Sequence, residues 1–176
     1  MLALRRWLFP VLIGLLAALG AYQATLLATP FALMRLAAAK AGKGAPVNQF
    51  RFGPMTTAEN QTIVRPSPDL SYSLCVFDVA NGPVLVRAEP IPGHYWSLSI
   101  FDARTDVAAV RSDRDTGGKS AMLALVRVGQ AAPAGYEAVP LNYDRGVALI
   151  RILLADKSEF PAIDALRRRS TCAAAR

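Results

Sequence analysis

The chain opens with a long hydrophobic stretch that carries no charge. No charged side chain occurs between Leu8 and Ala28, and the first acidic residue is Glu59. As an α-helix these residues would be about 31 Å long, enough to cross a hydrocarbon core of roughly 30 Å. Arg5 and Arg6 immediately precede them. The pattern predicts a single-pass anchor, with membrane lipid as a partner of the chain.

Two other interpretations of the stretch remain open at this stage. Small residues at 18–20 are typical of a signal-peptide cleavage site, although apolar residues resume at Leu26 and again at Phe31. A buried helix of a soluble protein has a similar composition. Basic residues on the two sides nearly balance, and an amino terminus on the inner side is favoured because Arg5 and Arg6 adjoin the span.

Glycine and proline then interrupt the chain between Lys40 and Pro54, where no apolar period is sustained. The alanine-rich segment 32–41 either extends the membrane helix or forms a short helix at the interface. We therefore divide the chain into an anchor at 1–36, a linker at 37–58 and a β-rich domain at 59–176.

Alternating and short apolar runs predict strands in the last part of the chain. The first predicted strand, 70–76, places four residues on one face: Leu70, Tyr72, Leu74 and Val76. The clearest strand, 95–101, directs Trp96, Leu98 and Ile100 to the core and Ser97 and Ser99 outward. Further strands are predicted at 84–86, 107–110, 122–128 and 147–154, with Arg151 opposite the apolar face of the last.

A helix is predicted at 160–170, with Pro161 in its first turn and Phe160, Ile163 and Leu166 packed on the sheet. The three arginines at 167–169 are interpreted as a solvated face of this helix, or as a contact to lipid or an acidic partner. The predicted fold is mostly β (α+β): an antiparallel β-sandwich or open barrel with a C-terminal helix, preceded by one N-terminal transmembrane helix.

The net charge of +7 is concentrated near the predicted membrane. Residues 1–58 hold six basic and no acidic side chains, and the remainder holds 14 basic and 13 acidic ones, a net of +1. A nucleic-acid-binding domain would carry its basic excess on a folded face, whereas cations beside a span attract anionic lipid. Nucleic acid is therefore not predicted as a partner.

Few residues offer metal or cofactor chemistry. Cys75 and Cys172 form no CxxC pair, and His94, the single histidine, cannot complete a typical zinc site with them. In an oxidising compartment the two cysteines form one disulfide, and otherwise they remain unpaired thiols. No phosphate-binding loop or dinucleotide fingerprint occurs, so we predict no cofactor and no metal.

Five ordered segments resemble the DUF-1254 domain family, and they are Pro68-Asp69-Leu70-Ser71-Tyr72-Ser73, Gly82-Pro83-Val84, Gly93-His94-Tyr95-Trp96-Ser97-Leu98, Phe101-Asp102-Ala103-Arg104-Thr105-Asp106-Val107 and Thr116-Gly117-Gly118. Ser67 and Pro68 stand where the family often has Asn-Arg, and Asp106 replaces a common Asn. The resemblance implies a bacterial envelope protein with a β-rich fold and no established activity. The chain is much shorter than the long family members, which carry a second β-rich domain, DUF-1214.

We predict a binding or assembly module in the bacterial inner membrane, its domain periplasmic, with a companion DUF-1214-like protein. The alternative is a small-molecule, hydrolase-like enzyme with a ligand pocket formed by Asp69, Tyr72, Tyr95 and Asp102. Each aspartate also suits a turn, where its carboxylate bonds backbone N–H groups. A lipid-interacting protein is a third class, and it would show an apolar groove that opens toward the membrane.

Overall fold

The computed structural model describes residues 2–57 and 66–175. The segment 58–65, in which the predicted linker meets the predicted domain, lies outside the described residues. The elements in chain order are α1 (Leu2–Ala41), β1 (Phe50–Phe52), β2 (Leu70–Asp78), β3 (Val84–Ala88), β4 (Trp96–Asp102), β5 (Val107–Ser112), α2 (Asp113–Thr116), β6 (Ala121–Arg127), β7 (Glu137–Leu141), β8 (Arg145–Leu153), α3 (Phe160–Arg167) and β9 (Thr171–Ala174).

The strands form two open sheets. Sheet A has the order β1-β2-β8-β4-β5, and sheet B has the order β7-β6-β3-β9. All neighbouring strands are antiparallel except β6 and β7, which are parallel. The predicted α+β class and antiparallel sandwich are therefore confirmed, and the open barrel is not the form adopted.

The core lies between the two sheets and follows from strand alternation, which sends every second side chain inward. Trp96, Leu98 and Ile100 of β4 are at most 1% exposed, as predicted. They join one buried cluster with residues of β8 and of sheet B, among them Ile150, Ile152, Val84, Val86, Leu123 and Leu125. Ser97 and Ser99 point outward but are also buried, at 2% and 1% exposed.

In β2 the alternation is as predicted, but the inner face is the other one. Ser71, Ser73, Cys75 and Phe77 are buried. The predicted set of Leu70, Tyr72, Leu74 and Val76 is only half-buried and lies on the face turned away from sheet B. Alternation defines two faces but does not say which one another sheet will cover.

Helix α1 is longer than the predicted anchor. Side chains at 6–29 are all exposed, whereas Met34 is 9% exposed and Phe31 packs edge-on against Tyr143. After the helix, a Cβ at Gly42 would lie 2.6 Å from the Ala38 carbonyl oxygen and 2.8 Å from Val76 Cγ2, so only glycine fits there. The alanine-rich segment thus extends the helix onto sheet A, and the predicted linker contains β1 as well as the helix end.

The carboxy-terminal helix is shorter than predicted. It ends at Arg167, and the chain then adds β9 to the edge of sheet B, an element the apolar pattern did not predict. Ile163 is 2% exposed, and Phe160 and Leu166 pack against the core as expected.

Candidate functional site

The face of sheet A turned away from sheet B, here called the outer face, carries both polar and apolar side chains. Strand register places four polar side chains in one row across it: Tyr72, Arg151, Ser97 and Ser112. We call this set the Arg151 row. The next two rows, toward the end of the sheet that α1 contacts, are mostly apolar: Leu74, Leu149, Ser99 and Val110, then Val76, Val147, Phe101 and Val107.

Three of the four predicted pocket residues lie at one end of sheet A. The Tyr72 hydroxyl accepts a hydrogen bond from the Ser67 backbone N–H at 2.9 Å. Tyr95 is 43% exposed, and its carbonyl accepts from the Leu153 N–H. Asp69 is exposed, and its carbonyl accepts from the neighbouring Leu154 N–H.

Asp102 lies at the other end of β4, where it pairs with Gly146 rather than with the Arg151 row. Its Oδ1 accepts from the backbone N–H groups of Arg104 at 2.7 Å and Asp106 at 3.1 Å. This carboxylate therefore closes the turn between β4 and β5, the alternative role considered for it. The structure does not bring Asp102 together with Asp69 and Tyr72, as the hydrolase-like alternative required.

Arg151 was placed on the correct face from sequence but was given no role. Its Nη2 donates to Ser99 Oγ at 3.2 Å. Within residues 2–57 and 66–175, its Nε and the hydroxyl of Ser97 are buried and have no hydrogen-bond partner. A lone arginine among apolar residues in a strand was the only available signal, and strand pairing was needed to place the serines beside it.

A separate cleft of 360 Å³ lies at the same end of the domain. The segment 90–96 lines it together with Asp113 and Gly118. His94 Nδ1 is 4.0 Å from Glu159 Oε2, and Asp113 Oδ1 is buried without a partner among the described residues. Tyr95 is the predicted pocket residue that lines this cleft.

Arg167 corrects the prediction of a solvated arginine face, because it is 1% exposed. Its guanidinium donates to the carbonyls of Tyr72 at 2.6 Å and Gly53 at 2.5 Å, and it pairs with Asp164. The rings of Phe52 and Phe160 lie 5.7 and 5.3 Å from its Cζ. Arg168 and Arg169 are exposed, as predicted.

The pKa of the Asp164 carboxyl reflects two opposed effects. Burial by itself would raise it, but hydrogen bonds from Arg168 and Arg167 and the charges of both arginines outweigh burial and hold the pKa below its ordinary value. Burial lowers the pKa of Arg167 in turn. The cluster is a fully bonded ion pair that joins α3 to sheet A, and its contacts are structural.

The two cysteines, whose pairing was left open from sequence, are joined in a disulfide. Cys75 lies on β2 of sheet A, and Cys172 lies on β9 of sheet B. The bond therefore crosses the core and links the two sheets. Among the described residues no group of three His, Cys, Asp or Glu side chains is placed to hold a metal ion.

Residues 47–174 match a family described as a protein of unknown function, DUF1254. The chain belongs to the DUF1254 family. The match covers every described strand of both sheets, so the family is carried by the sandwich and not by the apolar helix. No curated protein matches the chain.

Solved structures with a similar fold include the VPA0106 protein of Vibrio parahaemolyticus, at 18% identity and a TM-score of 0.64 over 83% of this chain. A putative uncharacterised protein from Burkholderia cenocepacia is 17% identical, with a TM-score of 0.45 over 74% of this chain. The matches cover 34% and 36% of those two chains, so this chain spans about a third of their length. The likeness to VPA0106 shows the fold of this DUF1254 chain and no activity.

Proposed function

We propose that this DUF1254 protein is a single-pass protein of the bacterial inner membrane whose periplasmic β-sandwich acts by binding. The observation that carries the proposal is helix α1. It is the one helix of the described chain that is long and apolar enough to cross a membrane, and none of the side chains in its apolar window is buried by the rest of the molecule.

The hydroxyls within this helix also suit apolar surroundings. Thr25 Oγ1 donates to the Ala21 carbonyl at 2.8 Å, and Thr29 Oγ1 donates to the Thr25 carbonyl at 2.7 Å. Hydroxyls that bond within their own helix need no water, which matters in lipid because an unsatisfied polar group there is costly. Their arrangement therefore favours the interpretation of α1 as a membrane span rather than as a helix that lies in water.

Binding is favoured over catalysis because the acidic residues considered for chemistry do not converge. Asp102 closes a turn, and Asp69 is exposed at the other end of the sheet. The longer structural neighbours extend well beyond the part that this chain matches. We propose that a companion protein, resembling the second domain of longer family members, completes the assembly.

Membrane fractionation followed by affinity purification tests the proposal. The full chain with a carboxy-terminal tag should sediment with membranes and resist carbonate extraction, and after detergent solubilisation it should retain a stoichiometric companion protein. A chain that stays in the supernatant after high-speed centrifugation would refute the anchor. A monomer recovered alone under mild detergent would refute the assembly role.

A reporter fused to the carboxyl terminus tests the orientation. An alkaline phosphatase fusion should be active, and a green fluorescent protein fusion exported by the same route should not fluoresce. Of these two reporters, only alkaline phosphatase folds in the periplasm after such export. The opposite pattern would place the sandwich in the cytoplasm.

A further inference from the structure

Four arginines of the described chain are buried or half-buried, and Arg151 differs from the other three. Each of those three has a carboxylate within 4.0 Å, in the pairs Arg104–Asp106, Arg111–Glu137 and Arg167–Asp164. Arg151 has none among the described residues, and its hydrogen bond goes to the neutral hydroxyl of Ser99. The row around it contributes hydroxyls and no carboxylate, from Tyr72, Ser97 and Ser112.

A half-buried guanidinium that has no carboxylate partner favours the binding of an anion. Removing charge from water costs free energy unless it is paired, and a buried N–H without an acceptor adds to that cost. Arginine binds carboxylate and phosphate oxygens through two parallel N–H bonds, a geometry that a serine hydroxyl cannot match. The buried, unpartnered Ser97 hydroxyl beside it is a second donor for the same oxyanion.

The surroundings of Arg151 select the kind of anion. On one side of its row lie the half-buried Leu74 and Leu149, followed by the half-buried Val76. On the other side Leu153 is 43% exposed. A free inorganic anion gains nothing from such neighbours, whereas an amphiphile removes CH₂ groups from water by packing its hydrocarbon against them.

The path of α1 connects this face to the proposed bilayer. Gly42, directly after the helix, meets Val76, and Phe31 packs on Tyr143 just before β8 begins. Side chains at 6–29 are exposed beyond that point. The apolar rows therefore run from the place where the helix leaves the domain up to Arg151, about 13 Å from Val147 at roughly 3.3 Å per residue.

We infer that the outer face of sheet A binds an acidic phospholipid of the membrane that holds α1. Its phosphate pairs with Arg151 and the Ser97 hydroxyl, and an acyl chain lies over Leu149 and Leu74 toward the helix. The head then points away from the bilayer and the chain toward it, the orientation of a lipid in the leaflet. The inference rests on the proposed function, because it needs the domain to stand on a membrane.

The test is native mass spectrometry of the full chain released from detergent micelles, titrated with palmitoyl-oleoyl-phosphatidylglycerol. Arg151→Gln should weaken binding of this lipid about tenfold, since it removes a charge-assisted pair. Arg169→Gln removes an exposed arginine two residues after the end of α3. It is the matched control and should leave binding unchanged. Phosphatidylcholine, whose phosphate is already neutralised by its own choline cation, should bind both variants equally.

A second variant guards against a folding defect in the first. Leu153→Glu places an acidic group on the exposed edge of the same face and should also weaken phosphatidylglycerol binding about tenfold, whereas Val128→Glu, at a residue 67% exposed after β6, should not. The basic residues after the span are intact in all four variants, so their attraction for acidic lipid does not affect the comparison.

Three results would overturn the inference. Arg151→Gln and Leu153→Glu could bind the lipid like the wild type, or glycerol phosphate could compete as well as the intact lipid. A protein could co-purify and be lost with Arg151→Gln, in which case a protein and not a lipid covers the face. Sedimentation of the chain with membranes alongside any of these leaves the proposed function standing, and failure to sediment removes both.

Discussion

Arg167 is the residue on which three separate segments depend. It holds the end of β1 through Gly53, the backbone of β2 at Tyr72, and α3 through Asp164. Periodicity of α3 alone predicted a solvated arginine there, because three consecutive arginines read as a charged surface. The acceptors that make burial tolerable come from residues 95 and 114 positions away in sequence, and no local pattern reveals them.

Replacing Arg167 by Met should destabilise the domain by about 3 kcal/mol, because two carbonyls and a carboxylate lose their buried cationic partner. Urea unfolding of the full chain in detergent measures this. In a Trp7→Phe background Trp96, which is 1% exposed, is the single fluorescent tryptophan and reports on the core.

Arg168→Met is the control for that measurement. Arg168 pairs with the same Asp164 but is 55% exposed, so its loss should cost less than about 1 kcal/mol. Equal losses in the two variants would show that burial of Arg167 is not what matters.

Asp164 predicts a pH dependence of stability. Its pKa is lower in the folded state, so its contribution is present above the unfolded value of about 3.9 and is lost as the pH falls through the folded value. Asp164→Asn should therefore be less stable than the wild type at pH 7. The difference in unfolding free energy should shrink as the pH falls from about 5 toward 2, and a difference that is constant with pH would contradict the assignment.

Among the elements, β2 and β9 are joined covalently, and Cys75 and Cys172 are 97 positions apart in the sequence. Strand β2 is the second strand from the edge of sheet A, and β9 is an edge strand of sheet B that pairs with β3 alone. A covalent bond across the core compensates for a four-residue strand that pairs on one side only. Strands β1 and β9, of three and four residues, are too short for alternation to predict them.

Reduction of this disulfide should lower the unfolding free energy by about 4 kcal/mol, because the reduced unfolded chain regains the freedom of a long loop. The measurement is urea unfolding of the full chain with and without a reductant. A Cys75→Ala/Cys172→Ala variant should be insensitive to reductant. Thiols that react with a labelling reagent in the unfolded, unreduced protein would contradict the bond.

For the whole molecule, the proposed anchor and the sandwich should be energetically separable. Leu15 and Leu16 are 64% and 60% exposed and lie in the part of α1 that does not contact the sheets. Changing both to Asp places two carboxyls in the proposed span at about 3 kcal/mol each. The variant should move to the soluble fraction while its Trp96 unfolding midpoint stays that of the wild type.

The Val128→Glu variant should stay in the membrane pellet in the same experiment. A change in the unfolding midpoint on substitution of Leu15 and Leu16 would mean that the helix packs on the domain over more than its last turns. A double variant that still sediments with membranes would mean that the sandwich itself holds the chain there.

The amino-acid sequence alone determined the apolar helix, the strand-rich domain and the DUF1254 resemblance, because an uncharged run, period-two alternation and ordered motifs are all local properties. Tertiary structure decided which face of β2 is buried, that Arg167 lies inside, and that Ser97 and Ser99 stand beside Arg151. Those outcomes depend on which strands become neighbours and on what covers each face. That choice is made by long-range pairing, which a local pattern does not contain.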